Sequence, residues 1–239
     1  AAAMRVPILE LDMNVTADGR VVIHHDTAVN SGVCVSESVP AGPIRGLTLA
    51  RILTFDCGSK RYGNYPRLAL EPGARIPTLE EVLEEFRDSP VEFLAETKME
   101  PDGSPQQVDP ASFISLVDSI VRRFGAANRF ILQSGDYRTI DEMRRRNPQV
   151  RTCLLNARRF KPEYVRIGRQ HKADYLMLNY RDVDEAGVRE LHREGFRVFS
   201  STANTPEDWR TYQRMGMDGI LTDDPEGLLE FLRAEGPQE

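Results

Sequence analysis

The sequence predicts an α/β protein, a TIM-type (β/α)8 barrel whose first strand and most of whose first helix lie upstream of residue 1. Three observations lead there. A short β-rich run, a polar loop and an amphipathic helical stretch follow one another seven times, which argues for a parallel sheet covered by helices. The 239 residues suit one barrel, since barrels of this kind occupy about 250 residues as a single domain. No strand-like run is followed by a GxGxxG turn, which counts against the runner-up, a doubly wound nucleotide-binding sheet. One domain over residues 1–239 is therefore expected.

The elements can be justified in order. The opening AAAMR reads as the tail of a helix packed before the first strand, with a cloning scar as the rival reading. The strand-like runs are PILELDMNV (7–15), VEFLAETK (91–98), RFILQS (129–134), RTCLLN (151–156), ADYLMLN (173–179), FRVFSST (196–202) and DGILTD (218–223). Thr78 is an N-cap for TLEEVLEEF, and the acids after it suit the positive end of a helix. DPASFISLVDSIVRRFG has Asp109 as cap, Pro110 at the first helical position and Gly125 as stop. GDYRTIDEMRRRN, KPEYVRIGRQH, DVDEAGVRELHREG, TPEDWRTYQRMG and DPEGLLEFLRAEG behave alike, with Asp223 and Asp224 expected to cap the last. On these helices Arg144, Arg145 and Arg146 read as a solvated face, His171 and His192 as surface residues and Trp209 as packing. A segment at about 27–77 breaks the rhythm and holds a short helix candidate near Leu47–Leu53. So long an insertion is usually functional, and after a barrel strand it is expected over the mouth, as a lid or substrate-contacting cap.

The net charge of -6 offers no basic footprint for nucleic acid or an anionic membrane. No apolar run approaches the roughly 18 residues that span a bilayer. Cys34, Cys57 and Cys153 are widely spaced and form neither a CxxC pair nor an even disulfide framework. Composition gives neither an oligomeric state nor a compartment.

In a barrel the chemistry sits at the carboxyl ends of the strands. Strand side chains alternate with period two, so Glu10 and Asp12 share one face while Leu11 and Met13 take the other. By the same rule Glu96 and Lys98 share a face, and Phe93 and Ala95 turn outwards. Three carboxylates and one ammonium thus converge. Two like charges about 5 Å apart repel by roughly 3 kcal/mol at an effective dielectric of 20. One acid must hold a proton, or a cation must bind. An all-oxygen set suits Ca2+ or Mg2+ rather than Zn2+. The plainer alternative is that Glu10 or Glu96 simply pairs with Lys98. The turn ADG then reverses the chain at Asp18-Gly19, and RVVIHHD returns with His24 on one face and His25 on the other. Only one imidazole can point where Glu10 and Asp12 point, and alternation does not choose between them. An imidazole there could donate or accept a proton near neutral pH. Gln133 and Asn179 stand at strand ends and are candidates for substrate contact.

These residues resemble the glycerophosphodiester phosphodiesterase family. Its E-x-D, T-x-D-G and V-V-x-H-D signature stands here as Glu10-Leu11-Asp12, Thr16-Ala17-Asp18-Gly19 and Val21 through His25-Asp26. RIPTLEEVLEEF is similar to its I-P-T-L-E-E segment, LAETK to its E-x-K strand, ILQSGD to Q-S-F-D, STAN to W-T-V-N, and GMDGILTDDP to its closing G-V-D-G-I-x-T-D-x-P. The likeness covers essentially the whole chain. It implies a TIM barrel that hydrolyses a glycerophosphodiester to sn-glycerol 3-phosphate and an alcohol. It implies Glu10, Asp12 and Glu96 as divalent-metal ligands, His25 as an acid/base histidine and Lys98 beside the phosphate. It also implies a small-molecule substrate and, since members of this layout are often exported, an extracytoplasmic place.

Three departures qualify the likeness. The family's H-R-G and P-E-N-T motifs are absent; they would bring a second histidine, an arginine and another acid. They belong on the missing first strand and the loop after it, so the chain as given is expected to be poorly active. Gly135 and Ser201 stand where the family usually has phenylalanine and tryptophan, which removes aromatic walls at the mouth. The alternative functional reading is therefore a non-catalytic descendant that binds phosphodiesters or partners through the same mouth. A Schiff-base aldolase using Lys98 is opposed by Glu96, which tends to keep the amine protonated.

Overall fold

Strands of a parallel sheet are covered on both faces, so they read as nearly continuous apolar runs. The structure is a computed structural model and describes residues 4–61, 63, 67–155 and 163–235. Its strands are β1 (Ile8–Val15), β2 (Val21–Ile23), β3 (Glu92–Thr97), β4 (Phe130–Ser134), β5 (Arg151–Leu154), β6 (Tyr175–Leu178) and β7 (Arg197–Ser200). They form one sheet in the order β2-β1-β3-β4-β5-β6-β7. β2 is the antiparallel return arm of a hairpin, and the other pairings are parallel. This is the expected α/β barrel architecture, present as a partial barrel.

Alternation divides the core in two. On the outer face Met13, Phe93, Ala95, Phe130, Leu132, Leu176 and Val198 pack with the helices in one large cluster. On the inner face Leu94, Ile131, Cys153, Tyr175, Met177 and Phe199 pack together. Ile8 from β1 and Leu221, beyond β7, join that same inner cluster, so the sheet curls round it. Polar contacts gather at the amino end of the lumen. Arg151 pairs with Glu92 at 3.0 Å and donates to the Tyr175 hydroxyl at 3.0 Å, and Tyr175 stacks on Phe199.

The expected strand at 218–223 is a correction: it keeps only a parallel bridge between Phe199 and Gly219. Backbone bonds still link the run to β7 and the residues after it, from Asp218 to Val198, Ser200 to Gly219 and Ala203 to Leu221, and side chains add to them. The Asp218 carboxylate accepts the Val198 N–H at 2.7 Å, and the Ser200 hydroxyl accepts the Leu221 N–H at 3.0 Å.

The helices are α1 (Leu49–Ile52), α2 (Leu79–Glu85), α3 (Pro110–Arg123), α4 (Tyr137–Arg146), α5 (Tyr164–Gln170), α6 (Glu185–Arg193), α7 (Pro206–Arg214) and α8 (Pro225–Glu235). Thr78 and Glu81 form a capping box at α2, and Asp109 accepts the Ser112 N–H with Pro110 in the first turn of α3. At α8 only Asp224 caps, accepting the Gly227 N–H at 3.0 Å; Asp223 does not, and instead holds the Asn204 amide at 2.8 Å. The arginines at the end of α4 are ion-paired rather than simply solvated, Arg144 to Asp174 and both Arg145 and Arg146 to Glu142. His192 is exposed on α6, but His171 is half-buried against Tyr137 and pairs with Asp141. Trp209 is buried and donates to the Ala203 carbonyl. Residues 1–3 of the AAAMR reading, Asn156 and the Lys161-Pro162 start of the fifth barrel helix lie outside the described residues.

Between β2 and α2 the chain builds a second, smaller core from Val29, Cys34, Val39, Ile44, Ile52, Phe55 and Ile76, seated on Val22 of the hairpin. Gly58 is required here, because a Cβ would stand 1.8 Å from the Glu71 carbonyl oxygen. The segment grips the barrel at several points. Arg45 donates to the Thr16 carbonyl, Thr27 to Glu100, and Arg67 pairs with Asp224, Glu226 and Glu230. Cys34 and Cys57 form a disulfide, a pairing that the reading of three widely spaced cysteines did not find. Spacing hides this pairing, since the two residues flank the antiparallel Val35–Asp56 bridge and meet only once the segment has folded. Cys153 is free and buried.

Closing a loop of 23 residues stabilises by about 3 kcal/mol in the chain-entropy account. Replacing Cys34 and Cys57 together with serine should therefore open this segment first. Limited proteolysis should cut within residues 27–77 before the barrel unfolds. Equal protease resistance in the double variant would show that the small core alone suffices.

Candidate active site

The site follows from register. Glu10 lies opposite Leu94, Asp12 opposite Glu96, and Glu96 opposite Gln133 on three neighbouring strands. Adjacent parallel strands are about 4.8 Å apart, so Asp12, Glu96 and Gln133 form one row facing the lumen, with Glu10 one step below. Donor oxygens of Glu10, Asp12 and Glu96 all lie within 4.8 Å of one another. Lys98 follows β3; its backbone N–H donates to the Met13 carbonyl at 3.0 Å. Its ammonium stands 2.8 Å from Asp12 Oδ1 and 3.1 Å from Glu96 Oε1. The plain expectation of an ion pair between Lys98 and Glu10 or Glu96 thus holds for Glu96, and Asp12, which it did not include, pairs as well. Glu10 has no ion-pair partner among the described residues.

The electrostatics record this shortage of positive charge. Burial, followed by the charges of Asp12 and Glu96, pushes the Glu10 pKa up to about 8, and Asp223 adds to the effect while Lys98 opposes it. Burial also raises the Glu96 pKa, against the opposing pull of Lys98 and His25. For Lys98 burial alone would lower the pKa, but hydrogen bonds and charges from Asp12 and Glu96 outweigh it and the net shift is upward. The triad is all oxygen, partly buried and carries more negative charge than its one ammonium can match. That donor set fits a hard divalent cation.

The hairpin delivers the imidazoles. Gly19 takes φ +74° in the turn, and Thr16 clasps Arg20 and Asp18 across it. Antiparallel register continues past β2, where the His24 N–H donates to the Asp12 carbonyl at 2.8 Å. His24 is half-buried, its Nε2 has no hydrogen-bond partner, and burial lowers its pKa. His25 lies beyond the strand with its ring exposed, and its Nδ1 is 2.8 Å from Asp26 Oδ1. Both imidazoles therefore flank the acids, one from within and one from the rim. Asn14 fixes this turn by donating to the His24 carbonyl at 2.6 Å and to the Asp26 carbonyl at 3.3 Å. Sequence reading missed Asn14. Its position two residues after Asp12, on the same face, was the available signal.

Gln133 is buried, and its Nε2 lies 3.4 Å from Glu96 Oε2 while Oε1 has no partner. Asn179 is committed to the rim: it donates to Ser201 Oγ at 2.8 Å and accepts the Arg181 N–H at 2.9 Å. Ser201 in turn meets the Tyr212 hydroxyl at 3.0 Å. Beside Glu96 a cavity of about 440 Å³ opens between the loop of Met99 to Asp102 and the start of α4, with Gly135 in its wall.

The Glu10 shift has a sign. Its folded pKa, about 8, exceeds the ordinary carboxylate value of 4.5. The folded protein therefore holds this proton more tightly, and the associated stability is full below about pH 4.5 and lost as pH rises towards 8. Metal-free protein should lose on the order of 2–4 kcal/mol over that range relative to Glu10→Gln. Denaturant unfolding in EDTA at pH 5 and pH 8 measures the difference; parallel pH profiles for the two proteins would refute it.

The Glycerophosphoryl diester phosphodiesterase family profile matches residues 1–227. The Bacillus subtilis strain 168 protein YhdW, provisionally named a glycerophosphodiester phosphodiesterase, is 27% identical over 236 residues, covering 96% of this chain and 88% of its own. A glycerophosphodiester phosphodiesterase of Caldanaerobacter subterraneus subsp. tengcongensis is 27% identical over 229 residues, covering 95% of this chain and 86% of its own. A crystal structure from Silicibacter pomeroyi DSS-3, provisionally named in the same way, superposes with a TM-score of 0.84 at 26% identity, covering 98% of this chain and 86% of that one. With a family profile matching nearly its whole length and a partial barrel that superposes on solved relatives, the chain belongs to the glycerophosphoryl diester phosphodiesterase family.

Proposed function

We propose that the protein hydrolyses glycerophosphodiesters to sn-glycerol 3-phosphate and an alcohol, with Ca2+ or Mg2+ held by Glu10, Asp12 and Glu96. The observation that carries this reading is the convergence of those three carboxylates, within 4.8 Å, beside Lys98. The names of the relatives at 27% identity support the substrate class. When bound, the cation neutralises phosphate charge and stabilises the charge that builds on its oxygens.

The chain's own residues do the rest. Lys98 holds a phosphate oxygen by a charge-assisted hydrogen bond. Gln133, with an unpartnered carbonyl oxygen in a buried position, accepts from a substrate hydroxyl. His25, with Nδ1 on Asp26, keeps Nε2 for the proton that goes to the leaving alkoxide or comes from the nucleophile. Residues 27–77 act as a cap, an assignment supported by the contacts of Thr27 with Glu100 and of Arg67 with Asp224. The cavity beside Gly135 receives the alcohol. The Cys34–Cys57 disulfide favours an oxidising, extracytoplasmic compartment, and among the described residues no helix is long and apolar enough to cross a membrane.

The test is release of sn-glycerol 3-phosphate by the full-length protein. EDTA should abolish it and added Ca2+ or Mg2+ restore it. Glu10→Gln and Glu96→Gln should each lower kcat/KM by roughly 10²–10³-fold, the scale seen on losing one electrostatic stabiliser. His25→Ala should lose roughly 10²–10⁴-fold, and His24→Ala less than His25→Ala. Full activity in Glu10→Gln would remove the metal role. Calcium binding without turnover would favour the binding-only reading, for which the missing side chain at Gly135 and the small Ser201 speak.

A further inference from the structure

Lys98 occupies the oxygens that a cation needs. Its ammonium lies 2.8 Å from Asp12 Oδ1 and 3.1 Å from Glu96 Oε1, and these are two of the three carboxylates that converge. All three partners keep only about 15% of their side-chain surface exposed, so water screens the contact poorly. An ammonium and a divalent ion in the same pair of carboxylates repel one another strongly at this distance and dielectric. The third acid, Glu10, makes no ion pair among the described residues, although the Lys98 charge reaches it.

Resting on the cation reading proposed above, we infer that Lys98 is an internal stand-in for the cation. The incoming ion displaces its ammonium from Asp12 and Glu96, and only then is Lys98 free for the phosphate. The charges favour that exchange. Three carboxylates facing one ammonium leave an excess of two negative charges when all are ionised. A divalent ion in the ammonium's place lowers that excess to one, and the released ammonium then matches the single charge of a phosphodiester. Lys98 can make the move because its stem carries four flexible carbons, while its backbone stays tied to the Met13 carbonyl. Cation and anion binding are thereby coupled, and the coupling must be reciprocal. Lys98 acts on the cation as a competitor and on the phosphate as a donor, so one substitution should move the two affinities in opposite directions.

Calorimetric titration tests this without turnover. Wild type, Lys98→Met and Lys98→Arg are titrated with calcium, and each with sn-glycerol 3-phosphate in the presence and absence of calcium. Lys98→Met should bind calcium at least about tenfold more tightly, and calcium should improve its anion affinity at least about tenfold less than in wild type. Lys98→Arg keeps the charge and should resemble wild type in the calcium titration. If Lys98→Met does not unfold cooperatively, Lys98→Gln takes its place. Calcium affinity that is unchanged or weaker without the ammonium would overturn the inference while leaving the metal site standing. No calcium binding by wild type would remove the metal reading and this inference together.

Discussion

Everything at the carboxyl end of this sheet depends on one unfavourable fact, the confinement of Glu10, Asp12 and Glu96 with a single ammonium. Buried like charges are tolerated only if they shed charge or find a counter-ion. This site does both in part. Glu10 leans towards its protonated form, and Asp12 and Glu96 share Lys98. The strain is affordable because the rest of each strand is devoted to burial: Met13, Phe93 and Ala95 are fully enclosed on the helix side. Stability is made on the outer face and in the lower lumen, and tension is stored at the top.

Much of this was legible in residues 7–15 and 91–98, because a period of two is a property of any strand and assigns faces without a structure. Helix starts at Thr78 and Asp109 were legible for a similar reason, since capping is local chemistry. What escaped reading depends on contacts between distant segments. The 218–223 run has strand composition, yet it keeps one bridge to β7, and the Asp218 and Ser200 side chains take two of the neighbouring backbone N–H groups. Cys34 and Cys57 look isolated until a bridge aligns them. Asp223 reads as a helix cap, yet it does not cap and its charge reaches Glu10. The histidine pair was ambiguous because alternation ends where the strand ends, and Asn14 sets the turn instead.

The departures from the family pattern have physical counterparts. Gly135 borders the open cavity, where a large side chain would fill space. Ser201 does not simply leave a gap: its hydroxyl ties Asn179 to Tyr212, and Tyr212 packs edge-on against Tyr180 at 5.6 Å. The rim on that side is held by hydrogen bonds between side chains rather than by one broad indole surface. Polar walls discriminate by matching donors and acceptors, whereas apolar walls discriminate weakly between isosteres.

The polar contacts at the foot of the lumen have their own consequence. Arg151, Glu92 and Tyr175 meet at the amino end, and Leu94, Ile131, Cys153 and Phe199 fill the space above them. Among the described residues, these side chains pack the lumen beneath the acids. Traffic is therefore one-ended: whatever arrives over the carboxyl rim must leave over it, and two departing fragments share a single doorway with the next arrival. The order in which they clear that doorway is then a property of the rim and the 27–77 segment, not of the strands.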